Sequence, residues 1–230
     1  MSGQSHALER CRAFIDSNFI ETRKEQKQEP VAVTISRQIF SGSHEIAELM
    51  IRELDADSQL GQNPWALFDR DLVQKILEDH NLPKRMARYM PEDRDHDLSG
   101  LINEILGLHP SLWKLFHYTC DTIHKLAKVG NVILIGRGAH IITRNMPHVY
   151  HVRIVAPMDQ RIQRAARMLD ISSTAAERTI HQDDQARAAY VSSHFDESLD
   201  NPFAYHLTIN TGRTRPETAA RIICSALRQG

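Results

Sequence analysis

The chain has 230 residues, 41% hydrophobic and 25% charged, enough for one large α/β domain or two very small ones. Lys plus Arg total 28 against 29 for Asp plus Glu, so the basic excess that a nucleic-acid-binding surface needs is missing. Three scattered cysteines, Cys11, Cys120 and Cys224, show no CxxC spacing, which argues against a disulfide framework or zinc ribbon and favours a reducing cytoplasm. Charged residues break up the N-terminal apolar positions, and no apolar run approaches the ~20 residues of a membrane span. The composition therefore predicts a soluble cytoplasmic protein with neither nucleic acid nor membrane as partner.

In chain order, Leu8, Cys11, Phe14, Ile15 and Phe19 recur at helical spacing, and the charged stretch from Glu21 to Pro30 follows. This arm, residues 1–30, reads either as a dimerisation or docking helix, giving a homodimer, or as a helix packed on its own domain. Val31 to Ile35 is a β-branched run that reads as the first strand. A polar loop, Ser36 to Ser43, leads from it to a helix predicted from about His44 to Leu54. Leu67 to Asp69 gives a weak second strand, with a helix expected near Asp71 to His80. From Leu82 to about Lys128 the period is helical, punctuated by Pro83, Pro91 and Pro110, which predicts a helical insertion. Val132 to Ile135 and Val149 to Ala156 are buried-strand signals. Helices are expected near Met158 to Leu169 and Ser173 to Ser193, then a strand at His206 to Asn210 and a closing helix from about Arg215 to Leu227. Apolar strands alternating with helices imply a doubly wound α/β domain over residues 31–230, with a parallel five-stranded sheet covered on both faces.

Ligands of such sheets bind at the carboxyl ends of the strands, which directs attention to the loop after the first strand. Small residues at Ser41, Gly42 and Ser43 would let backbone N–H groups face an anion at the head of a helix. Ser43 could equally be that helix's N-cap. The loop has one glycine and no lysine, short of the full phosphate-loop pattern of two glycines bracketing four residues and then Lys.

Several segments in order resemble the cytidylate-kinase-like family. Ile35-Ser36-Arg37-Gln38, Ser41-Gly42 and Glu45-Ile46-Ala47 are similar to its first loop, and Phe68-Asp69-Arg70-Asp71-Leu72 to its Y-D-[RK]-E-[IL] segment. Ile135-Gly136-Arg137-Gly138-Ala139 resembles its G-R-G turn. Val152 to Pro157 with Arg161 and Arg164 resembles its strand and lid helix. Asp184, Arg187 and Tyr190, and the late Tyr205-His206-Leu207 with Ile209-Asn210-Thr211, also match. The resemblance implies a P-loop NTPase fold of nucleoside-monophosphate-kinase type, with a lid at about 158–192. It also implies ATP with Mg²⁺ as donor and a small-molecule nucleotide, CMP or dCMP, as acceptor. Against true cytidylate kinases, Ser43 stands at the phosphate-binding Lys, Glu45 at the Mg²⁺-binding hydroxyl, Gly138 at the Asp of the turn and Ile180 at a late arginine. Phe40 stands where the family's first loop glycine does.

By the same resemblance, Arg37, Gln38, Ser41, Gly42, Ser43, His44 and Glu45 would hold the donor, and Asp69 and Arg137 the acceptor. Arg161, Arg164, Arg187 and Asp184 would serve the transfer itself. The residues alone leave alternatives open. Arg161, Arg164 and Arg167 could form a solvated basic face, Asp184 and Arg187 could simply pair, and Asp69 could bind acceptor or metal or cap a helix. Glu45 could coordinate Mg²⁺ or be a first-turn acid favoured by the helix dipole. Arg137, set between two glycines after a buried strand, suits an anion better than packing. No histidine pair has metal-site spacing, and Trp65 and Phe116 suit packing better than base stacking.

Overall fold

The computed structural model describes residues 31–57, 60, 63–69 and 112–229; the predicted N-terminal arm, the helix expected near Asp71 to His80 and most of the insertion lie outside them. Five strands, β1 (Ala32–Arg37), β2 (Ala66–Phe68), β3 (Val132–Ile135), β4 (Val149–Val155) and β5 (Leu207–Asn210), form one sheet in the order β2-β3-β1-β4-β5. Every neighbouring pair is parallel, with Ile35 level with Ile135 on one side and Val152 on the other. Among the described residues the helices are α1 (Ser43–Asp55), α2 (Leu112–Val129), α3 (Ala139–Ile142), α4 (Met158–Leu169), α5 (Ser173–Phe195) and α6 (Pro216–Leu227).

The period of two along β1 divides the core. Ala32 faces α2 together with Phe68, Val132, Leu134 and Val149, against Leu115, Ile123 and Leu126. Val33 and Ile35 face the other way, with Ile133, Val152, Ile154 and Ile209, against Ile46, Met50 and Leu54 of α1 and Ile223 and Leu227 of α6. Both faces are covered, which is why the central strands read as unbroken apolar runs. Parallel connection puts every strand's carboxyl end at one edge of the sheet. Trp65 is core, 1% exposed, with its indole N–H donated to the Leu60 carbonyl at 2.9 Å.

Polar groups cross the α2-side face of the sheet. Thr34 Oγ1 lies 2.8 Å from Nδ1 of the buried His151, and the backbone N–H of His151 donates to His206 Nδ1 at 2.9 Å. Burial, and secondarily the charge on His206, lower the His151 pKa to about 4. Further along, the buried Arg153 donates to Ser36 Oγ and to Asp200 Oδ1, each at 2.9 Å. Tyr205, whose pKa burial raises, donates to the Leu199 carbonyl at 2.9 Å and so straps the loop before β5 over this face.

Candidate functional site

Strand β1 ends at Arg37 and α1 begins at Ser43, leaving a tight loop between them. Phe40 and Gly42 both take left-handed backbone, φ 56° and 88°. Ser43 is the first helical residue and not the N-cap: that position belongs to Gly42, whose left-handed turn supplies no side-chain cap. Consequently the N–H groups of Gly42, Ser43, His44 and Glu45 at the head of α1 have no acceptor among the described residues. With the dipole of a 13-residue helix behind them, they form an anion-binding concavity. Ser41 Oγ, fully buried, has no hydrogen-bond partner among the described residues.

The loop's other groups brace it. Gln38 is a strut: its N–H donates to the Ile154 carbonyl at 3.0 Å and its Oε1 accepts from the Ala156 N–H at 3.0 Å. The Thr211 hydroxyl, just past β5, donates to the Ser41 carbonyl at 2.7 Å. The Ile39 N–H donates to Asp184 Oδ1 at 2.9 Å.

Helices α4 and α5 form a hairpin over this loop. Arg161, 4% exposed, pairs with Asp184 across the hairpin, so it is no solvated face residue. Arg187, equally buried, has Nη1 3.8 Å from Asp184. Arg164 donates to the Phe40 carbonyl at 2.8 Å, and its Nη1 would lie 3.0 Å from a Cβ built on Gly42. Arg167 points to solvent. Arg161, Arg164, Asp184 and Arg187 thus gather with the loop as one unit.

A second group lies on the β2 side. Asp69, just past β2, has one carboxylate oxygen 3.7 Å from the Arg37 guanidinium and the other in contact with His44 Nε2. Glu45 is exposed in the first turn of α1. Arg137, half-buried, sits in three consecutive left-handed residues, Gly136, Arg137 and Gly138, with φ 80°, 57° and 67°. Phe195 at the end of α5 packs beneath that turn, close enough that a Cβ on Gly138 would lie 2.4 Å from its ring.

Three features escaped the sequence. Gln38 was expected to touch the donor, and its N–H and Oε1 tie the loop to the β4 end, a brace that the sequence did not show. Thr211 was seen only as part of a matching segment, although a hydroxyl residue directly after a strand is a signal for such a brace. The packing of Ile39 and Phe40 against Ile162, Ala176 and Ile180 of the hairpin has no local signature.

The cradle has the features a nucleoside triphosphate's phosphates require. Unsatisfied N–H donors line the cradle, Gly42 leaves space that a side chain would fill, and a guanidinium stands against it. Glu45 is the exposed carboxylate in the first turn beside the cradle, and among the described residues no cluster of three His, Cys, Asp or Glu side chains has metal-site geometry.

Sheet order, crossover helices and a phosphate-type loop under a helical hairpin define a P-loop kinase-type α/β protein. The chain belongs to the cytidylate kinase-like family, whose model matches residues 32–213. Among solved structures, an uncharacterized protein from Eubacterium ventriosum is similar with a TM-score of 0.63 at 14% identity, over 87% of this chain and 99% of that one. Shikimate kinase from Bacteroides thetaiotaomicron matches with a TM-score of 0.48 at 13% identity, over 86% of this chain and 98% of its own. At such identities the likeness is one of fold. No curated protein matches the chain. No described helix is long and apolar enough to cross a membrane.

Proposed function

We propose that the protein transfers a phosphoryl group from ATP to a nucleoside monophosphate, with CMP or dCMP the first acceptors to try. The observation that supports this best is the row of unsatisfied N–H groups at the head of α1 facing the Arg164 guanidinium. Bound there, Mg·ATP would supply the γ-phosphoryl group with part of its charge neutralised. The N–H groups from Gly42 to Glu45 hold the donor phosphates, and Glu45 holds the metal. Arg161 and Arg187, oriented by Asp184, bring positive charge to the hairpin side of the transferring group. Arg137 holds the acceptor phosphate, and Arg37 and the His44 ring, expected on the donor side, join it there because both contact Asp69. In one in-line displacement the bond from the γ-phosphorus to the bridging oxygen breaks as one to an acceptor phosphate oxygen forms. ADP and a nucleoside diphosphate result. The acceptor oxygen is already ionised, so no general base is required.

The direct test is ATP turnover by the full chain with Mg²⁺ and CMP, dCMP, UMP or AMP, beside an Arg137→Ala control. Transfer to one acceptor, lost in the control, supports the proposal. A folded protein that binds ATP or CMP yet turns over none of these acceptors points instead to a nucleotide sensor on a degenerate kinase fold. The absence of lysine from the loop is the observation that favours this second reading. Cytoplasmic residence and a homodimer through residues 1–30 belong to the same proposal, and sedimentation of the full chain against one beginning at Val31 tests the dimer.

A further inference from the structure

Phe40 is the residue that the site above leaves without a purpose. Its side chain occupies a position where the backbone is left-handed, φ 56°, a conformation in which a Cβ-bearing residue is strained and glycine is not. A bulky residue keeps such a position only where packing offsets the strain. Here the packing is plain: Phe40 and Ile39 lie against a separate apolar cluster built from Ala165, Ala176 and Ile180, outside the main core. That cluster is the interior of the α4–α5 hairpin. The same residue's carbonyl accepts the described hydrogen bond of Arg164, at 2.8 Å. Arg164 has no other partner among the described residues, so its remaining N–H donors are available beside Gly42.

We propose that Phe40 is a positioning residue: its side chain docks the hairpin on the loop and its carbonyl aims Arg164 across the cradle. Arg164 thereby supplies the fixed positive charge that a loop with Ser43 at the lysine position does not carry. Two further ties hold the same arrangement, the Ile39 N–H on Asp184 and Asp184 on Arg161. The hairpin therefore meets the donor already closed, and the ordering that a mobile lid must undergo on binding is complete beforehand. An arginine held by a backbone carbonyl also presents a planar fork suited to two phosphate oxygens, where a lysine offers a point charge. This inference rests on the triphosphate reading of the cradle.

The test is calorimetric binding of Mg·ATP and, separately, of base-free tripolyphosphate to the full chain. The variants are Phe40→Gly, Phe40→Ala, Phe40→Leu, Arg164→Ala and the double variant Phe40→Gly/Arg164→Ala, each checked by circular dichroism and melting. Losing one charge-assisted hydrogen-bond partner should weaken both probes about tenfold to a hundredfold in Arg164→Ala. Phe40→Gly should weaken them comparably, although it relieves backbone strain, and the double variant should fall no further than the worse single one. Phe40→Leu, which keeps an apolar anchor, should recover most of the affinity. Should Phe40→Gly fail to fold, Phe40→Ala carries the same comparison. Tighter or unchanged binding in a folded glycine or alanine variant would mean that Phe40 merely obstructs the cradle, and would overturn the inference. So would losses that multiply in the double variant. If the wild-type chain binds neither probe, the kinase reading itself falls, and this inference with it.

Discussion

Asp184 is the point where the loop and both helices of the hairpin converge, and replacing it with alanine tests that construction directly. One carboxylate oxygen accepts the Ile39 N–H at 2.9 Å, the other pairs with Arg161, and Arg187 lies 3.8 Å away. Arg161 and Arg187 are each 4% exposed, so water cannot replace a lost carboxylate. Breaking a buried pair costs about 3–5 kcal/mol, and since Asp184 keeps 27% side-chain exposure the lower end applies, about 3 kcal/mol. At roughly 2–4 °C per kcal/mol for a domain of this size, Asp184→Ala should melt about 6–12 °C below wild type. Asp184→Asn retains an acceptor oxygen for Ile39 but not the charge, and should lose about 1–2 kcal/mol. Reversible urea unfolding of the three proteins, with equal m-values, measures these differences. An alanine variant within about 2 °C of wild type would refute the buried-node account, and an asparagine variant as damaged as alanine would refute the role given to the Ile39 bond.

Gly138→Ala should be costly for two reasons: a left-handed φ of 67° and a Cβ placed 2.4 Å from the Phe195 ring. Strain and overpacking together amount to about 2–4 kcal/mol, and adding Phe195→Ala should relieve the steric part, as thermal unfolding of the single and double variants would show. His151, held neutral with its pKa lowered to about 4 from an ordinary 6.5, makes the fold acid-sensitive. The unfolded chain binds this proton first, so the stabilisation is complete above about pH 6.5 and is lost as pH falls towards 4. His151→Asn should flatten the stability profile from urea unfolding between pH 7 and 5 by up to about 2 kcal/mol, and an unchanged profile would contradict this account.

The strands were legible because burial on both faces leaves continuous apolar runs, and Val132–Ile135 and Met158–Leu169 fall where the sequence puts them. Four-residue α3 was not, since one turn carries no periodicity. At the site, the grouping of Arg161 and Arg164 with the first loop was an expectation of the family resemblance; the residues alone left a solvated basic face open. The pairing of Asp69 with His44 was not legible, because the two come together only when β2 and α1 converge at the sheet edge. Phe40 was hardest to read. Locally it looks like a glycine lost from a phosphate loop, and its partners Ile162, Ala176 and Ile180 lie more than a hundred residues downstream.

The turn at Gly136 to Gly138 carries a consequence for how such sequences can change. Where true cytidylate kinases place an aspartate, this chain has a glycine pressed against Phe195. An acidic side chain could enter position 138 only together with a smaller residue at 195, and a large aromatic at 195 admits only glycine at 138. Positions 138 and 195, far apart in the sequence, are thus coupled: a change at one is felt first as a steric demand on the other.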